Sequence, residues 1–369
     1  MKKILLISCD YPPAIGGVST VAKDIISNLS TTKYNVSLLT HYIKGREIDN
    51  INNIFEIKFS RYVWILKYWN FIRKIKSSDY DVIILNGIAP NALASLFFSE
   101  ILQRKCISYL HGSEPEYFYK NIRFSEKIFG IKNKYMKLML NAKNIVAVSE
   151  YMKKKYLEFS KMKNIQDKIK IIYNAIDKNV YFKEEIDLLK EHNLKKGTYI
   201  LLTVSRIVRK KGFDEKYEIF KKLIQKGEKF HWFIIGDGLY LSRFKKLVIE
   251  EGYQEHISFL GGIKDKNILR RYYSSVDAFW LLSNFDEALG LVYIESLACG
   301  TPVIAKNNAG VKEIIENNLN GFLIDNNDQC LEILKRKSFL SLDKENFESS
   351  ISKFNININK ELLIQIIES

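Results

Sequence analysis

A chain of 369 residues is longer than one ordinary hydrophobic core organises, so two domains, or two lobes with a cleft, are expected. Its 47% hydrophobic and 27% charged residues are the balance of a soluble globular protein, and no apolar run approaches the roughly 20 residues that span a bilayer. A formal charge of +15 calls for an acidic partner: nucleic acid, an anionic membrane or a phosphorylated small molecule.

The opening MKKILLISC imitates a lipoprotein signal, but its apolar part is shorter than the ~7–15 residues of a signal core. It reads better as a first buried strand. KILLIS, NVSLLT, DVIILNG, CISYLHG and NIVAVS then follow as strands, with helical stretches over 18–29, 62–76 and 90–102. Continuous Val/Ile/Leu runs mark strands buried on both faces, and their alternation with helices marks a parallel sheet. Between residues 104 and 178 the chain has 17 Lys/Arg against 7 Asp/Glu, so much of the basic excess is local.

The strand-like KIKIIYNAID closes a first domain at 1–178, and the charged stretch 179–197 reads as a linker. The alternation restarts over 198–352 with YILLTVSR, HWFIIGDG, ISFLGG, VDAFWLLS, TPVIAK and GFLID. A last helix, about 353–369, is expected to pack back on the first domain. The fold class is therefore α/β: two doubly wound, Rossmann-like domains facing each other across a cleft. Ligands of such sheets bind beyond the carboxyl ends of the strands. Cys9, Cys106, Cys299 and Cys330 have no paired spacing, which fits reduced thiols of the cytoplasm rather than disulfides or zinc.

The strand ends carry the chemistry. After the first strand, Gly16-Gly17 open a helix and let its backbone approach a phosphate, although many strand-to-helix turns contain glycine. The full G-x-G-x-x-G fingerprint is absent, which counts against NAD. CISYLHG ends in His111, placed to point into the cleft or to be satisfied by local hydrogen bonds. TVSRIVRKKG places Arg206 on a strand end and Lys211 five residues on. Two such cations suit a diphosphate. A solvated basic loop is the competing reading, since Arg209 and Lys210 are neighbours.

FDEALGLVYIES has two glutamates, Glu287 and Glu295, in an otherwise nearly apolar run. Carboxylates in such surroundings need a cation or hydroxyls. With a helix starting near Gly290, the N–H groups of Gly290, Leu291 and Val292 face a phosphate. Glu287 can then hold a sugar and Glu295 a ribose. The bland alternative is a glutamate pair that complements the helix dipole.

Together these motifs resemble the family 4 retaining glycosyltransferases, which have the GT-B fold. The resemblance is carried by GGV at 16–18, HGSE at 111–114, VAVSEYMKKKY at 146–156, IIYNAID at 171–177 and SRIVRKKG at 205–212. It continues through IIGDG at 234–238, FLGGI at 259–263 and EALGLVYIESLACGTPVIA at 287–305. The resemblance implies transfer of a sugar from a nucleotide-diphosphate donor, UDP- or GDP-linked, to a glycan or lipid-linked acceptor. Bacterial surface polysaccharide synthesis, such as capsule or O-antigen, is the expected setting.

Carried over position by position, Glu287 would contact the sugar hydroxyls and Glu295 the ribose. Arg206 and Lys211 would neutralise the diphosphate, aided by Gly16, Gly17 and the N–H groups of Gly290, Leu291 and Val292. His111 would lie on the acceptor side, and Gly262 with Ile263 against the base. The catalytic set is then His111, Glu287, Arg206 and Lys211. The family's front-face mechanism needs no protein nucleophile, and no residue stands out as one. Leu289 stands where the family often has Phe, and the acceptor region shows nothing diagnostic. Asp79-Tyr80-Asp81 has the metal-binding D-x-D pattern, but it lies at the amino end of a strand, so no essential metal or cofactor is expected.

No nucleic-acid partner is expected, because the basic excess lacks any reading motif. KYWNFIRKIK and KIFGIKNKYMKLMLNAK mix cations with apolar residues at helical spacing. They suit peripheral docking on the inner face of the cell membrane, or a core-facing stripe with a solvated basic face. Rival functions are a GT-B-fold sugar-nucleotide epimerase and a non-catalytic binder of nucleotide sugars, membrane or nucleic acid. Five histidines in all leave the epimerase reading short of poised acids and bases.

Overall fold

The structure is a computed structural model that describes residues 1–14, 16–29, 33–46, 51–58, 63–120, 129–184 and 186–369. It divides into two compact units. Unit 1 is Met1–Asn174 with Ile356–Ser369, and unit 2 is Ala175–Asn355.

Unit 1 is built on a seven-stranded sheet in the order β3-β2-β1-β4-β5-β6-β7. The strands are β1 Lys2–Ser8, β2 Tyr34–His41, β3 Asn53–Ile57, β4 Val82–Asn86, β5 Cys106–Leu110, β6 Asn144–Ala147 and β7 Ile169–Ile171. Every neighbouring pair is parallel. Residues 4–7 of β1 are at most 1% exposed, as an apolar run covered on both faces should be. Sequence reading missed β3, whose NIFEI is half exposed along most of its length, because an edge strand lacks the continuous apolar signal.

The helix Gly17–Leu29 buries Val21, Ala22, Ile25, Ile26 and Leu29, a stripe at three- and four-residue spacing. Leu363, Ile366 and Ile367 of the last helix, Ile356–Glu368, join the same core cluster. Tyr34 hydroxyl donates to Glu368 at 2.7 Å, and Asn359 Nδ2 donates to the Tyr173 carbonyl, which ties the chain's end to this unit.

Two helical boundaries differ from expectation. The stretch read as one helix over 90–102 is two, Ile88–Phe97 and Glu100–Gln103, with extended Phe98 and Ser99 between them. The first starts earlier because Pro90 fits the first turn, where its missing N–H costs nothing. The helix expected over 62–76 is Trp64–Ile72, while Tyr62 lies outside the described residues.

Unit 2 has a six-stranded parallel sheet in the order β10-β9-β8-β11-β12-β13. Its strands are β8 Tyr199–Val204, β9 Phe230–Ile235, β10 Ile257–Gly261, β11 Ala278–Leu281, β12 Val303–Lys306 and β13 Gly321–Ile324. Residues 179–197, read as a linker, belong to this unit instead. Glu184 N–H donates to Ser274 Oγ at 3.1 Å, Arg270 pairs with Glu184 at 3.0 Å, and Leu188 is 2% exposed. Charge made the stretch look solvated, but Glu184 and Glu191 pair with Arg270 and Arg271 within the unit.

Strand order reverses between β1 and β4 in unit 1 and between β8 and β11 in unit 2. In doubly wound sheets these switch points, at the carboxyl edge, are where ligands bind.

Candidate functional site

At the switch point of unit 2, the chain leaving β8 passes Ser205 and Arg206 and enters a short turn, Arg209–Lys211. Gly212 ends that turn with φ 68, and a Cβ there would stand 2.0 Å from the Leu282 carbonyl oxygen. Only glycine lets this loop press against the end of β11. Asn284 N–H donates to the Lys210 carbonyl at 2.7 Å and Asn284 Nδ2 to Glu215 at 2.7 Å. Lys306 Nζ, at the end of β12, donates to Asn284 Oδ1.

The braced loops bring Lys211 to Glu287. Lys211 Nζ is ion-paired with Glu287 Oε1, the side chains being 13% and 17% exposed. Ser283 Oγ donates to the same oxygen at 2.8 Å. Oε2 has no partner among the described residues, so it remains open to a ligand hydroxyl.

Three residues further on, Gly290 adopts φ 93 and opens the helix Leu291–Ala298, whose start no side chain caps. The first N–H groups of such a helix have no partner within it, and its dipole favours an anion there. A Cβ on Gly290 would come within 2.6 Å of the Tyr293 ring, so the turn again requires glycine. Arg206 is exposed, and its guanidinium forms no ion pair among the described residues.

Glu295 is partly buried on the same helix. Tyr273 hydroxyl donates to its Oε2 at 2.9 Å, and Tyr181 lies beside it. Burial raises its carboxyl above the usual range, against the opposing effect of the two tyrosines. The competing reading of Glu287 and Glu295 as a dipole-complementing pair does not describe them, since neither lies in the helix's first turn. Gly262 and Ile263 follow β10, and a Cβ on Gly262 would meet nothing within 4 Å. Thus Lys211, Glu287 and the helix start at Gly290, Leu291 and Val292 are gathered around one switch point. Ser283, Tyr181 and Tyr273 were missed, because a lone hydroxyl in a loop or on a helix gives no spacing signal.

At the switch point of unit 1, Ser8 and Asn86 are register partners on β1 and β4. Asn86 Nδ2 donates to Ser8 Oγ at 2.9 Å and to the Val18 carbonyl at 3.0 Å. A carbonyl can only accept, so the amide nitrogen must face Val18 and Oδ1 must face His111 Nε2, 2.7 Å away. His111 therefore has its proton on Nε2 and a lone pair on Nδ1. Burial pushes its pKa down to about 4, so the ring is neutral near pH 7.

Glu114, 1% exposed, accepts the backbone N–H groups of His111 at 3.0 Å and Gly112 at 2.8 Å. Lys155 Nζ donates to the Gly112 carbonyl at 3.0 Å. His111 is thus locally satisfied through Nε2 while Nδ1 has no partner among the described residues. A cavity of about 720 Å³ opens beside it. Gly17 starts its helix, and a Cβ on Gly16 or Gly17 would meet nothing within 4 Å, leaving the backbone approachable.

The D-x-D residues serve the opposite end of the sheet. Lys3 N–H donates to Asp81 Oδ2 at 2.8 Å and Lys76 N–H to Asp79 Oδ2 at 2.7 Å. The two basic amphipathic stretches behave differently. The helix Ile131–Asn141 turns Ile131, Tyr135, Leu138 and Met139 into the core, while Lys127 and Ile128 lie outside the described residues. The helix Trp64–Ile72 leaves Ile65 and Trp69 each 40% exposed and Leu66 60% exposed. No helix among the described residues is long and apolar enough to cross a membrane.

Comparison with known proteins fits this geometry. The family described as glycosyl transferases group 1 matches residues 184–349, and Glycosyltransferase Family 4 matches residues 15–180. The N-acetyl-alpha-D-glucosaminyl L-malate synthase of Bacillus anthracis is 25% identical over 356 residues, covering 91% of this chain and 88% of that protein. The alpha-monoglucosyldiacylglycerol synthase of Acholeplasma laidlawii is 22% identical over 357 residues, covering 90% and 87%. Among solved structures, Anabaena HepE in complex with UDP-glucose aligns with a TM-score of 0.76 at 16% identity over 100% of both chains, a likeness of fold.

Proposed function

The chain belongs to the family 4 glycosyltransferases and has their GT-B fold, and from that premise we propose a retaining, metal-independent enzyme that uses a nucleotide-diphosphate sugar. The observation that carries this reading is the grouping of Lys211, Glu287 and an uncapped helix start at one switch point. A cation and aligned N–H groups stabilise the charge that develops on a diphosphate leaving group. The free oxygen of Glu287 holds the sugar hydroxyls, and Arg206, exposed and in no ion pair among the described residues, adds the second cation. Glu295 takes the ribose by exchanging a tyrosine partner for a ribose hydroxyl, and Gly262 with Ile263 border the base. In this reading Gly16 and Gly17 offer backbone to the phosphates, and His111 serves the acceptor.

Catalysis then rests on positioning and charge stabilisation rather than on a protein nucleophile. The donor is a UDP- or GDP-sugar; the structural relative crystallised with UDP-glucose supports the UDP form. The acceptor is a glycan or a lipid-linked molecule, with bacterial surface polysaccharide synthesis as the setting. The named relatives are synthases of an N-acetyl-glucosaminyl malate and of a monoglucosyldiacylglycerol, so glycosylated small molecules and glycosylated lipids both occur among their products.

Thermal stabilisation across a panel of UDP-, GDP- and ADP-sugars tests the donor. At least one should raise the melting temperature; no response to any of them would overturn the reading. The exposed apolar side of the helix Trp64–Ile72, with Lys67 and Arg73 beside it, supports peripheral docking on an anionic cytoplasmic membrane face. Salt-sensitive binding to anionic liposomes is the expected result, and no binding at low salt would rule docking out.

A further inference from the structure

The cavity of unit 1 is polar at one end and apolar elsewhere. Asp10, Asn86 and His111 form its floor at the carboxyl ends of the strands. Its wall is the helix Ile88–Phe97, through Ile88, Ala92, Leu93 and Leu96, with Trp64 and Ile65 also lining it. The apolar lining continues to the protein surface, where Ile65 is 40% and Phe129 65% exposed. Trp69, one helical turn beyond Ile65 on the same face, is 40% exposed. Large apolar side chains continuous with a cavity mark a binding surface more than chance exposure.

The charge of the lining is equally informative. Among the described residues that line the cavity, the charged ones are Asp10 and Glu114, both acidic, in a chain of net charge +15. Exposed Asp10 disfavours a phosphate or carboxylate ligand. The Glu114 carboxylate is taken up by the His111 and Gly112 N–H groups, and no cation lines the cavity among the described residues to offset Asp10. A glycan fares little better, because its hydroxyls would lose water against the apolar wall without gaining partners. A ligand with one hydroxyl and a hydrocarbon body matches both the floor and the wall, and about 720 Å³ is ample for it.

We propose that this cavity holds the hydrocarbon chain of an uncharged lipid acceptor. Its hydroxyl lies at the His111–Asn86 floor, and its chain follows the helix Ile88–Phe97 and leaves over Ile65 and Phe129. The acceptor role rests on the glycosyltransferase reading; the ligand chemistry rests on the cavity alone.

The test uses the full chain with dioctanoylglycerol as the neutral probe and dioctanoyl phosphatidate as its anionic counterpart, both below aggregation. Binding is read from tryptophan emission, since Trp64 lines the cavity. Saturable binding of dioctanoylglycerol, about tenfold tighter than that of the phosphatidate, is expected. Ala92→Phe, which fills the cavity, should weaken it about tenfold or more while leaving stabilisation by nucleotide sugars unchanged. Ile65→Asp, at a half-exposed position, is the second variant should Ala92→Phe fold poorly. Absence of saturable binding, equal binding of the two probes, or both variants behaving as wild type would overturn the proposal. Lipid binding without any nucleotide-sugar stabilisation would leave the ligand assignment standing and remove the acceptor role.

Discussion

Lys211 and Glu287, 76 residues apart in sequence, are ion-paired at the switch point of unit 2, with Ser283 sharing the same carboxylate oxygen. The pair does two things. It satisfies a carboxylate that burial would otherwise penalise, and it places a cation and an acceptor side by side. On the proposed function, a diphosphate would compete for Lys211 and a sugar hydroxyl for Glu287, so donor binding would exchange one set of charge partners for another. Glu287→Ala should therefore lower kcat by about 10²-fold or more, the scale of losing one preorganised charge partner. Lys211→Ala should mainly weaken donor binding. Melting temperatures should fall by only a few degrees, since the pair is not fully buried. Steady-state kinetics with thermal denaturation checks this, and a fully active Glu287→Ala enzyme would remove Glu287 from the site.

Asn86 fixes the tautomer of His111, which makes an acid–base prediction possible. With its pKa pushed down to about 4 by burial, His111 is neutral from pH 5 to 8, so its titration should not shape the wild-type rate profile there. Asn86→Asp sets a carboxylate 2.7 Å from Nε2–H and stabilises the imidazolium, which raises the histidine's pKa. The kcat/KM profile of Asn86→Asp should gain a limb between pH 5 and 8 that Asn86→Ala lacks. Profiles of identical shape would show that Asn86 has only a structural role.

Much of this was legible in sequence because parallel strands announce themselves. Runs such as those of β1, β4, β8 and β9 are continuous and apolar, and the residues that leave their carboxyl ends are the ones that can meet a ligand. Arg206, Lys211, His111 and Glu287 were accessible by that rule. What escaped depends on contacts between distant segments. Ser283 matters only because Glu287 folds back on it, and Asn86 only because β1 and β5 flank β4. The cavity beside His111 draws on segments from Cys9 to Ile131, so no local pattern could reveal it. Residues 179–197 misled because charge density resembles solvent exposure until partners such as Arg270 are seen.

Lys216 is fully buried behind the Lys211 loop, with Nζ donating to Thr203 Oγ1 at 3.2 Å and lying 4.2 Å from the centre of the Phe213 ring. Burial, reinforced by Lys211, holds its pKa well below the usual 10.5. A base depressed in the folded state binds fewer protons there than when unfolded. Its contribution to stability is therefore fully present above pH 10.5 and declines as pH falls toward the folded value. Thr203 keeps its bond from Trp232 Nε1 at 3.1 Å and its own bond to the Trp280 carbonyl at 2.8 Å when the amine is removed. Lys216→Met should accordingly match or exceed wild-type stability at pH 7 and lose ground to it as pH rises toward 10. Denaturant unfolding at several pH values measures the difference; a constant difference would mean that the amine titrates normally.

Gly212 joins the loop after β8 to the end of β11, and its side-chain position is already filled by the Leu282 carbonyl. Gly212→Ala combines a positive φ with a 2.0 Å overlap against backbone, which cannot rotate away as a side chain would. The loop must move to accept it, and Lys211, the adjacent residue, moves with it. Destabilisation by about 2 kcal/mol or more is expected, beyond the ~1 kcal/mol common for substitutions. Donor-induced stabilisation should fall more steeply than for a variant at Gly227, where a Cβ would meet nothing within 4 Å despite a similar φ of 77. That comparison separates strain in the turn from displacement of the site, because only Gly212 adjoins Lys211. Equal losses of donor response in Gly212→Ala and Gly227→Ala would show that the close approach to Leu282 does not position the cation.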